Sequence, residues 1–279
     1  MIRLALRAPA EGAEQVLAAL LEVAPGGVEQ VDGCGFVEFA LYGAPGELPS
    51  LGEGEAEVGG VRVTVRGEEV ADDWSERWRR FHRPVLVAGR LYVRPPWEAP
   101  AKGPEAVEIV IAPGQAFGTG AHPTTEACLE LLLSLQSVAK RREAHPGSLV
   151  DLGCGSGVLV IAAVKLGFDP VSAVDADPAA LEATERNARA NGVVLARRER
   201  ADLRDDAPPN ADTVAANLTR SLLLQLAPRL LERPPRAAIV SGLLDEEADE
   251  VVDALASRLP ESRRLSRRGW TTVLFERAP

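Results

Sequence analysis

The stretch Ser-Leu-Val-Asp-Leu-Gly-Cys-Gly-Ser-Gly, residues 148–157, predicts a buried apolar strand that runs into Asp151 and then turns tightly into a helix. Alternating glycines suit such a turn, because a backbone without Cβ atoms can bend sharply and approach a ligand closely. Further along, residues 171–175 predict a second buried strand that ends in Asp175, 22 positions after Gly153. A carboxylate at about this sequence spacing meets a ribose in nucleotide-binding β-α-β units. The two strands therefore predict a nucleoside-binding unit.

The glycine loop also indicates which kind of nucleotide fits. The pyrophosphate-binding pattern G-x-G-x-x-G would need a glycine where this chain has Val158, and no basic residue directly follows to hold a phosphate. A nucleoside without phosphates fits better, and S-adenosylmethionine is the common one. Because tight strand-to-helix turns use glycine even without a ligand, the loop alone is a weak signal, and it gains weight from Asp175.

Strands and helices alternate from residue 106 to the end of the chain, which is typical of an open, mostly parallel, doubly wound α/β sheet. The predicted strands are 107–111, 171–175, one ending at Asn217, 237–241, and an antiparallel pair at 263–268 and 271–276; the predicted helices are 123–138, 158–166, 178–191, one from about 221, and 246–259. Ligands of such sheets bind at the carboxyl ends of the strands, near the switch in strand order. We expect the glycine loop, Asp175 and Asn217 to lie there.

The first part of the chain has a different organisation. Residues 1–68 show a β-α-β-β order followed by another strand, with the hairpin signal Asp32-Gly33, and this favours a small ferredoxin-like α+β unit. Residues 43–60 are rich in Gly, Pro and Glu and predict a surface loop. The prolines and tryptophans of residues 69–105 predict a linker that packs against the second domain. We therefore expect an N-terminal domain over 1–68, a linker over 69–105 and a second domain over 106–279.

Charge and composition limit the functions that the chain can have. The net charge is −10, and residues 1–60 hold ten acidic and two basic residues, a local net charge of −8. Such a surface disfavours direct binding to nucleic acid and favours a basic protein partner, with solubility alone as the alternative. The sequence predicts no membrane span and no N-terminal signal, so we expect a cytoplasmic protein, and we expect a monomer. Three cysteines and three histidines without metal-ligand spacing predict no metal site.

A second long loop precedes the first helix of the second domain. Residues 112–125 read Ala-Pro-Gly-Gln-Ala-Phe-Gly-Thr-Gly-Ala-His-Pro-Thr-Thr, and combine glycines with hydroxyls, an aromatic ring and a histidine. A loop with this content is hard to explain as a mere connection. The alternative is a helix cap, with Thr124 or Thr125 at the N-terminus of the helix, which leaves Phe117 to His122 unexplained.

Four stretches together resemble one family. They are A-F-G-T-G-A-H-P-T-T (116–125), D-L-G-C-G-S-G (151–157), V-D-A-D-P (174–178) and A-N-L (216–218), and they are similar to those of the PrmA family, methyltransferases that act on the eleventh protein of the large ribosomal subunit. The stretches D-W-S-E-R-W-R-R-F (73–81) and P-P-W-E (95–98) resemble the family's linker. The resemblance spans residues 73–277, whereas the first 60 residues match only in their α+β pattern and acidity. Leu218 departs from the isoleucine of many relatives.

The resemblance implies a class I methyltransferase domain that binds S-adenosylmethionine, preceded by a substrate-recognition domain. Carried over residue by residue, it implies cofactor contacts for four positions: Thr125, Gly153, Asp175 and Asn217. Gly155 is a further expected contact on backbone grounds, and we expect Phe117 and the Gly-Thr-Gly loop beside it to close over the site.

The expected reaction is an in-line displacement, in which an uncharged amine attacks the sulfonium methyl group. A lysine amine has a pKa of about 10.4 in water and must first lose its proton, which an apolar pocket containing a sulfonium cation favours. We predict that Asn217 is the catalytic residue and orients the amine as a hydrogen-bond acceptor. His122 is a candidate base, with helix positioning as the alternative.

The sequence leaves two other functions open. The nearest is a class I enzyme that methylates another amine or a nucleobase, although residues 216–219 lack the prolines and the aromatic residue of the base-stacking N-P-P-Y signature. The other is a non-catalytic assembly factor. The intact glycine loop, Asp175 and Asn217 argue against a decayed site.

Overall fold

Two units make up the chain, Met1–His82 and Arg83–Pro279. The structure is a computed structural model, and it describes residues 2–23, 28–33, 35–43, 48–49, 51–69, 82–101, 106–113 and 120–277. Phe117 and the tryptophans of residues 73–81, which the sequence singles out, lie outside the described residues. Part of the expected linker, Val85–Arg94, forms strands of the second unit.

The first unit is a five-stranded antiparallel sheet with one described helix. Its elements are β1 (Ile2–Pro9), α1 (Ala13–Val23), β2 (Glu29–Asp32), β3 (Phe36–Gly43), β4 (Gly54–Val58) and β5 (Val61–Glu69), and the strand order is β2-β3-β1-β5-β4. Alternation along β1 buries Leu4, Leu6 and Ala8, and α1 buries Leu17 and Leu20. Because β3 lies between β1 and β2 and runs antiparallel to both, this is the split β-α-β arrangement of the predicted ferredoxin-like unit.

The prediction of a surface loop over residues 43–60 is wrong for Gly54–Val58, which form β4 and pair with β5. The two strands are joined by Gly59 and Gly60, whose φ angles are +60° and +76°. Two successive residues with positive φ form the tight turn whose twist matches a β-hairpin. The glycines that suggested a loose loop are therefore the turn of a hairpin.

The second unit contains a small sheet and a large one. Strands β6 (Val85–Val87), β7 (Leu91–Arg94) and β8 (Val107–Val110) form the small sheet. The large sheet contains β9 (Leu149–Leu152), β10 (Val171–Asp175), β11 (Arg197–Arg200), β12 (Thr213–Asn217), β13 (Ala237–Leu244), β14 (Glu261–Arg267) and β15 (Trp270–Glu276), in the order β11-β10-β9-β12-β13-β15-β14. The helices are α2 (Pro123–Arg141), α3 (Val158–Lys165), α4 (Pro178–Ala190), α5 (Arg220–Glu232) and α6 (Ala248–Leu255).

The strand order of the large sheet predicts where a ligand binds. Strands β9 to β13 pair in parallel, and β15 joins them antiparallel between β13 and β14. From β9 the chain continues to β10 on one side, and later returns to β12 on the other side. The switch in strand order therefore lies between β9 and β12, at whose carboxyl ends a crevice opens in sheets of this kind.

Apolar helices cover both faces of this sheet and hold the strand tips in place. One core contains α2 and α3, and all six residues from Val158 to Ala163 of α3 are buried. The other core contains α5 and α6, with Leu226 and Val251 fully buried. Each fully buried leucine or isoleucine contributes roughly 1.5–3 kcal/mol relative to exposure. Within the described ranges, none of the helices combines the length and the apolar character needed to cross a membrane.

Candidate active site

The loop between β9 and α3 adopts the conformation that its glycines predict. Gly153, Gly155 and Gly157 have φ angles of +79°, +52° and +82°. A Cβ on Gly157 would lie 2.9 Å from Oγ1 and 3.0 Å from Cα of Thr184, so α4 packs directly on the loop. Cys154 is buried, and burial raises the pKa of its thiol, so the cysteine is a small buried residue of the turn and not a nucleophile.

Two polar side chains of α4 fix the loop from behind. Thr184 Oγ1 donates a hydrogen bond to the carbonyl of Gly155 (3.0 Å), and Asn187 Nδ2 donates one to the carbonyl of Ser156 (2.8 Å). Asn187 Oδ1 also accepts from the backbone N–H of Ala112 (3.0 Å), which leads into the second glycine-containing loop. Asn187 therefore connects the two loops. Sequence reasoning missed it, and the available signal was a polar residue on the buried face of an amphipathic helix.

The carboxylate of Asp175 is held by the backbone at the tip of β10. Its Oδ2 accepts a hydrogen bond from the N–H of Gly155, and its Oδ1 accepts one from the N–H of Asp177, both at 3.0 Å. Each carboxylate oxygen has a second lone pair, so the fixed group can still accept hydrogen bonds from two hydroxyls. Asp175 is half-buried at the carboxyl end of β10, so its carboxylate remains accessible to a ligand.

Near the strand tips, Oγ1 of Thr125 and Oδ1 of Asp151 are buried polar atoms without a hydrogen-bond partner among the described residues. Both residues are only 1% exposed. Burial, and then repulsion by Asp175, raise the pKa of Asp151 well above its ordinary value. A buried polar group without a partner costs about 1–3 kcal/mol, so the two atoms favour a polar ligand that completes their hydrogen bonds. The sequence predicts Thr125 as a site residue, whereas Asp151 is recognised only from its burial in the structure.

A chain of hydrogen bonds links the tip of β12 to the start of α2. Asn217 Nδ2 donates to Thr124 Oγ1 (3.2 Å), and Thr124 Oγ1 lies 2.7 Å from Nδ1 of His122. His122 is the N-cap of α2, since its ring accepts from the N–H of Thr124. The alternative interpretation, in which a threonine caps this helix, is therefore wrong, because Thr124 and Thr125 lie inside the first turn and both are buried.

The ring of His122 is in an environment that keeps it neutral. Trp270 packs edge-on against it, with 4.9 Å between the ring centroids and 74° between the planes. Burial, and then the charge of Arg268, lower the pKa of His122 to about 4. Its Nδ1 is occupied as a helix cap, so the structure favours the positioning role over that of a general base.

Leu218, directly after Asn217, lies against two glycines. A Cβ on Gly153 would be 2.4 Å from Leu218 Cδ2, and a Cβ on Gly242 would be 2.2 Å from the Leu218 carbonyl oxygen. Gly242 also has a φ angle of +87°. Only a residue without Cβ fits against that backbone carbonyl, so Gly242 fixes the segment that carries Asn217.

Replacing Gly242 by alanine is therefore expected to lower the free energy of unfolding by about 2–4 kcal/mol, from strain at positive φ and from overpacking. The activity of this site should fall as well, since the clash displaces Leu218 and its neighbour Asn217. Gly167→Ala is the matched control, because Gly167 has a φ angle of +89° with nothing within 4 Å of the added Cβ. Urea denaturation and initial rates test this, and equal losses in both variants would contradict it.

The structure thus gathers most of the residues that the sequence predicts. Gly153, Gly155, Asp175 and Asn217 lie at the carboxyl ends of three adjacent strands, and Thr125 lies beside Thr124, which Asn217 contacts. Phe117 lies outside the described residues, and its expected role stays a prediction.

A sheet with this strand order, a glycine loop after its first strand and a carboxylate at the tip of its second defines the class I methyltransferases, which use S-adenosylmethionine. Within this class the comparison with known families is specific. The family model described as "Ribosomal protein L11 methyltransferase (PrmA)" matches residues 50–278, and the chain belongs to this family.

Individual relatives agree with the family model. A ribosomal protein L11 methyltransferase of Pseudomonas paraeruginosa is 41% identical over 210 residues, which cover 74% of this chain and 68% of that protein. One of Marinobacter nauticus is 44% identical over 185 residues, 65% of this chain and 59% of that protein. The crystal structure of a ribosomal protein L11 methylase from Lactobacillus delbrueckii subsp. bulgaricus superimposes with a TM-score of 0.60 at 26% identity, covering 71% of this chain and 99% of that one.

Proposed function

We propose that the protein transfers methyl groups from S-adenosylmethionine to amines of ribosomal protein L11, at lysine side chains, the N-terminal amine or both. The observation that carries the proposal is the placement of the four motif residues of the family, Thr125, Gly153, Asp175 and Asn217, together at the carboxyl edge of the large sheet. A chain that had kept the fold and lost the chemistry would have no reason to keep all four.

The residues around the crevice fit S-adenosylmethionine as the cofactor. We assign the backbone at Gly153 and Gly155 to its methionine part and the oriented carboxylate of Asp175 to the two ribose hydroxyls. The unpartnered Oγ1 of Thr125 and Oδ1 of Asp151 suit the polar end of the methionine part. When bound, this cofactor supplies a methyl group on a positively charged sulfonium, which is already an activated leaving group.

The protein contributes to the reaction by positioning the attacking amine and by setting the polarity of its surroundings. We assign to Asn217 the orientation of the attacking amine, with Oδ1 as the acceptor of one amine hydrogen. The amine must arrive uncharged, and its removal from water together with the positive charge of the sulfonium lowers its pKa. His122 takes no proton in this scheme, because burial and the charge of Arg268 lower its pKa to about 4 and its Nδ1 is occupied as a helix cap.

The organisation of the chain supports separate regions for substrate recognition and for catalysis. We assign substrate recognition to the N-terminal domain, residues 1–68, and catalysis to residues 106–279. Residues 69–105 connect them, and the strands within Val85–Arg94 belong to the second unit. The net charge of −8 over residues 1–60 suits a basic protein partner and disfavours direct contact with RNA. We further propose that the enzyme acts as a monomer in the cytoplasm, together with its ribosomal substrate.

Incubation with S-adenosylmethionine labelled in the methyl group tests the proposal. With isolated ribosomal proteins and ribosomal RNA present together, label is expected on L11 alone, and mass spectrometry of L11 then identifies the modified amines and the number of methyl groups. An Asp175→Ala variant is the control and should transfer little label. Label on RNA only, or on small amines with L11 unmodified, would replace the proposal by one of the other class I functions.

A further inference from the structure

We propose that His122 and Thr124 are positioning residues, which decide which end of the Asn217 amide faces the substrate. This inference rests on the proposed role of Asn217 in methyl transfer. It starts from a general problem: the oxygen and nitrogen of an asparagine amide have nearly the same shape, so only the hydrogen-bonding neighbours decide which one points where.

The first step concerns the ring of His122. The backbone N–H of Thr124 can only donate, and it points to Nδ1 of His122 at 3.4 Å. Nδ1 therefore carries the lone pair, and the proton of the neutral ring lies on Nε2. The lowered pKa of His122, about 4, keeps the ring in this neutral form at physiological pH.

The second step concerns the hydroxyl of Thr124. Its Oγ1 lies 2.7 Å from the same Nδ1. Because Nδ1 is an acceptor, the hydroxyl must donate its single hydrogen to the ring. The lone pairs of Oγ1 then remain for its other neighbour.

The third step concerns Asn217 itself. Its side chain approaches Thr124 Oγ1 at 3.2 Å, and an oxygen whose hydrogen is already engaged can only accept there. The amide must therefore present Nδ2 to Thr124, and its Oδ1 points to the opposite side. An amine that attacks a methyl group keeps its lone pair for carbon and donates its hydrogens, so Oδ1 is the end of the amide that it needs.

Without this chain of hydrogen bonds, the amide of Asn217 could rotate and present its NH₂ group to the substrate amine. Two donors would then face each other, and the amine would lose its orientation. Thr124 is buried, and Trp270 packs against the ring of His122. The direction of the hydrogen bonds from Asn217 to Thr124 to His122 is therefore set by side chains that packing holds in place.

The test compares Thr124→Val, which removes the hydroxyl at nearly constant shape, with Thr124→Ser, which keeps it. We expect kcat for L11 methylation to fall about 10–100-fold in the valine variant, the range that a misplaced group costs, with the Kd of S-adenosylmethionine within about threefold. The serine variant should recover most of the rate. Full activity of Thr124→Val, or a serine variant as slow as the valine variant, would overturn the proposal.

A spectroscopic measurement tests the direction of these hydrogen bonds without an activity assay. The chain has only three histidines, so ¹⁵N chemical shifts of the ring nitrogens can be assigned by comparison with a His122→Asn variant. We expect His122 as the Nε2–H tautomer, and the Nδ1–H tautomer would overturn the proposal. A failure of the proposed function looks different, because the unsubstituted enzyme would then leave L11 unlabelled whatever the tautomer of His122.

Discussion

Replacing Asn217 by alanine is expected to lower kcat for methylation of L11 by about 10²–10³-fold, the range found when one oriented polar group is removed from an active site. The Kd of S-adenosylmethionine should change by less than about fivefold, because Gly153, Asp175 and Thr125 remain. The effect belongs to the chemical step, since the amide orients the amine and does not hold the cofactor alone. Single-turnover rates and calorimetric titration separate these two quantities.

The matched control is Asn210→Ala, which removes an exposed asparagine of the same unit outside the site. It should leave both the rate and the affinity for the cofactor unchanged. If Asn217→Ala kept the full single-turnover rate, Asn217 would have no part in the reaction. If it lost cofactor affinity and rate in equal measure, Asn217 would be a binding residue only.

The centre of the second unit could be predicted from the sequence because each of its signals is local. Strands β9 and β10 are short and mostly apolar. The glycines at 153, 155 and 157 occupy positions with positive φ that few other residues adopt. Asp175 follows at a fixed spacing along the chain. Since parallel strands bring their carboxyl ends to one edge, the meeting of Gly153, Asp175 and Asn217 follows from topology alone.

Two charged edge strands, β11 and β4, were not predicted from the sequence. Strand β11 consists of Arg-Arg-Glu-Arg and pairs only with β10, so it shows neither an apolar run nor an alternation. Strand β4 is likewise an edge strand, and its glutamates alternate with Ala56 and Val58 between glycines. Charged edge strands protect a sheet from further pairing, and the same charge makes them look like loops.

The parts of the site that sequence reasoning missed depend on contacts between distant residues. Thr124 and Asn217 are 93 positions apart, and Gly242 matters only because the carbonyl of Leu218 lies against it. The sequence is compatible with His122 as a general base or as a helix cap. Only the packing of Trp270 against its ring and the hydrogen bonds of the ring distinguish the two roles. No local pattern of apolar and polar residues contains this information.

Asp151 is the second residue whose replacement should have a large effect, and here stability and binding should change in opposite directions. In the ligand-free protein the pKa of Asp151 is raised, because burial and then the charge of Asp175 disfavour the carboxylate. The folded state therefore keeps a proton that the unfolded chain releases near pH 3.9. Stability of the unsubstituted protein consequently falls as pH rises from about 4 towards the pKa of the folded state, by up to about 1.4 kcal/mol per pH unit.

Asp151→Asn removes this ionisation at nearly constant shape. We therefore expect the variant to be more stable than the unsubstituted protein, and the difference in the free energy of unfolding to be larger at pH 8 than at pH 5. Affinity for S-adenosylmethionine should fall about 10–100-fold, since the variant has no carboxylate for the ammonium group of the methionine part, and a charged hydrogen bond is worth about 1.5–3 kcal/mol. Urea denaturation at both pH values and calorimetric titration measure the two effects, with the exposed Asp253→Asn of α6 as control. A variant equally destabilised at pH 5 and pH 8 would show that Asp151 is a stabilising partner in the free protein. If the affinity for S-adenosylmethionine were unchanged as well, the proposed place of Asp151 in the cofactor site would be wrong.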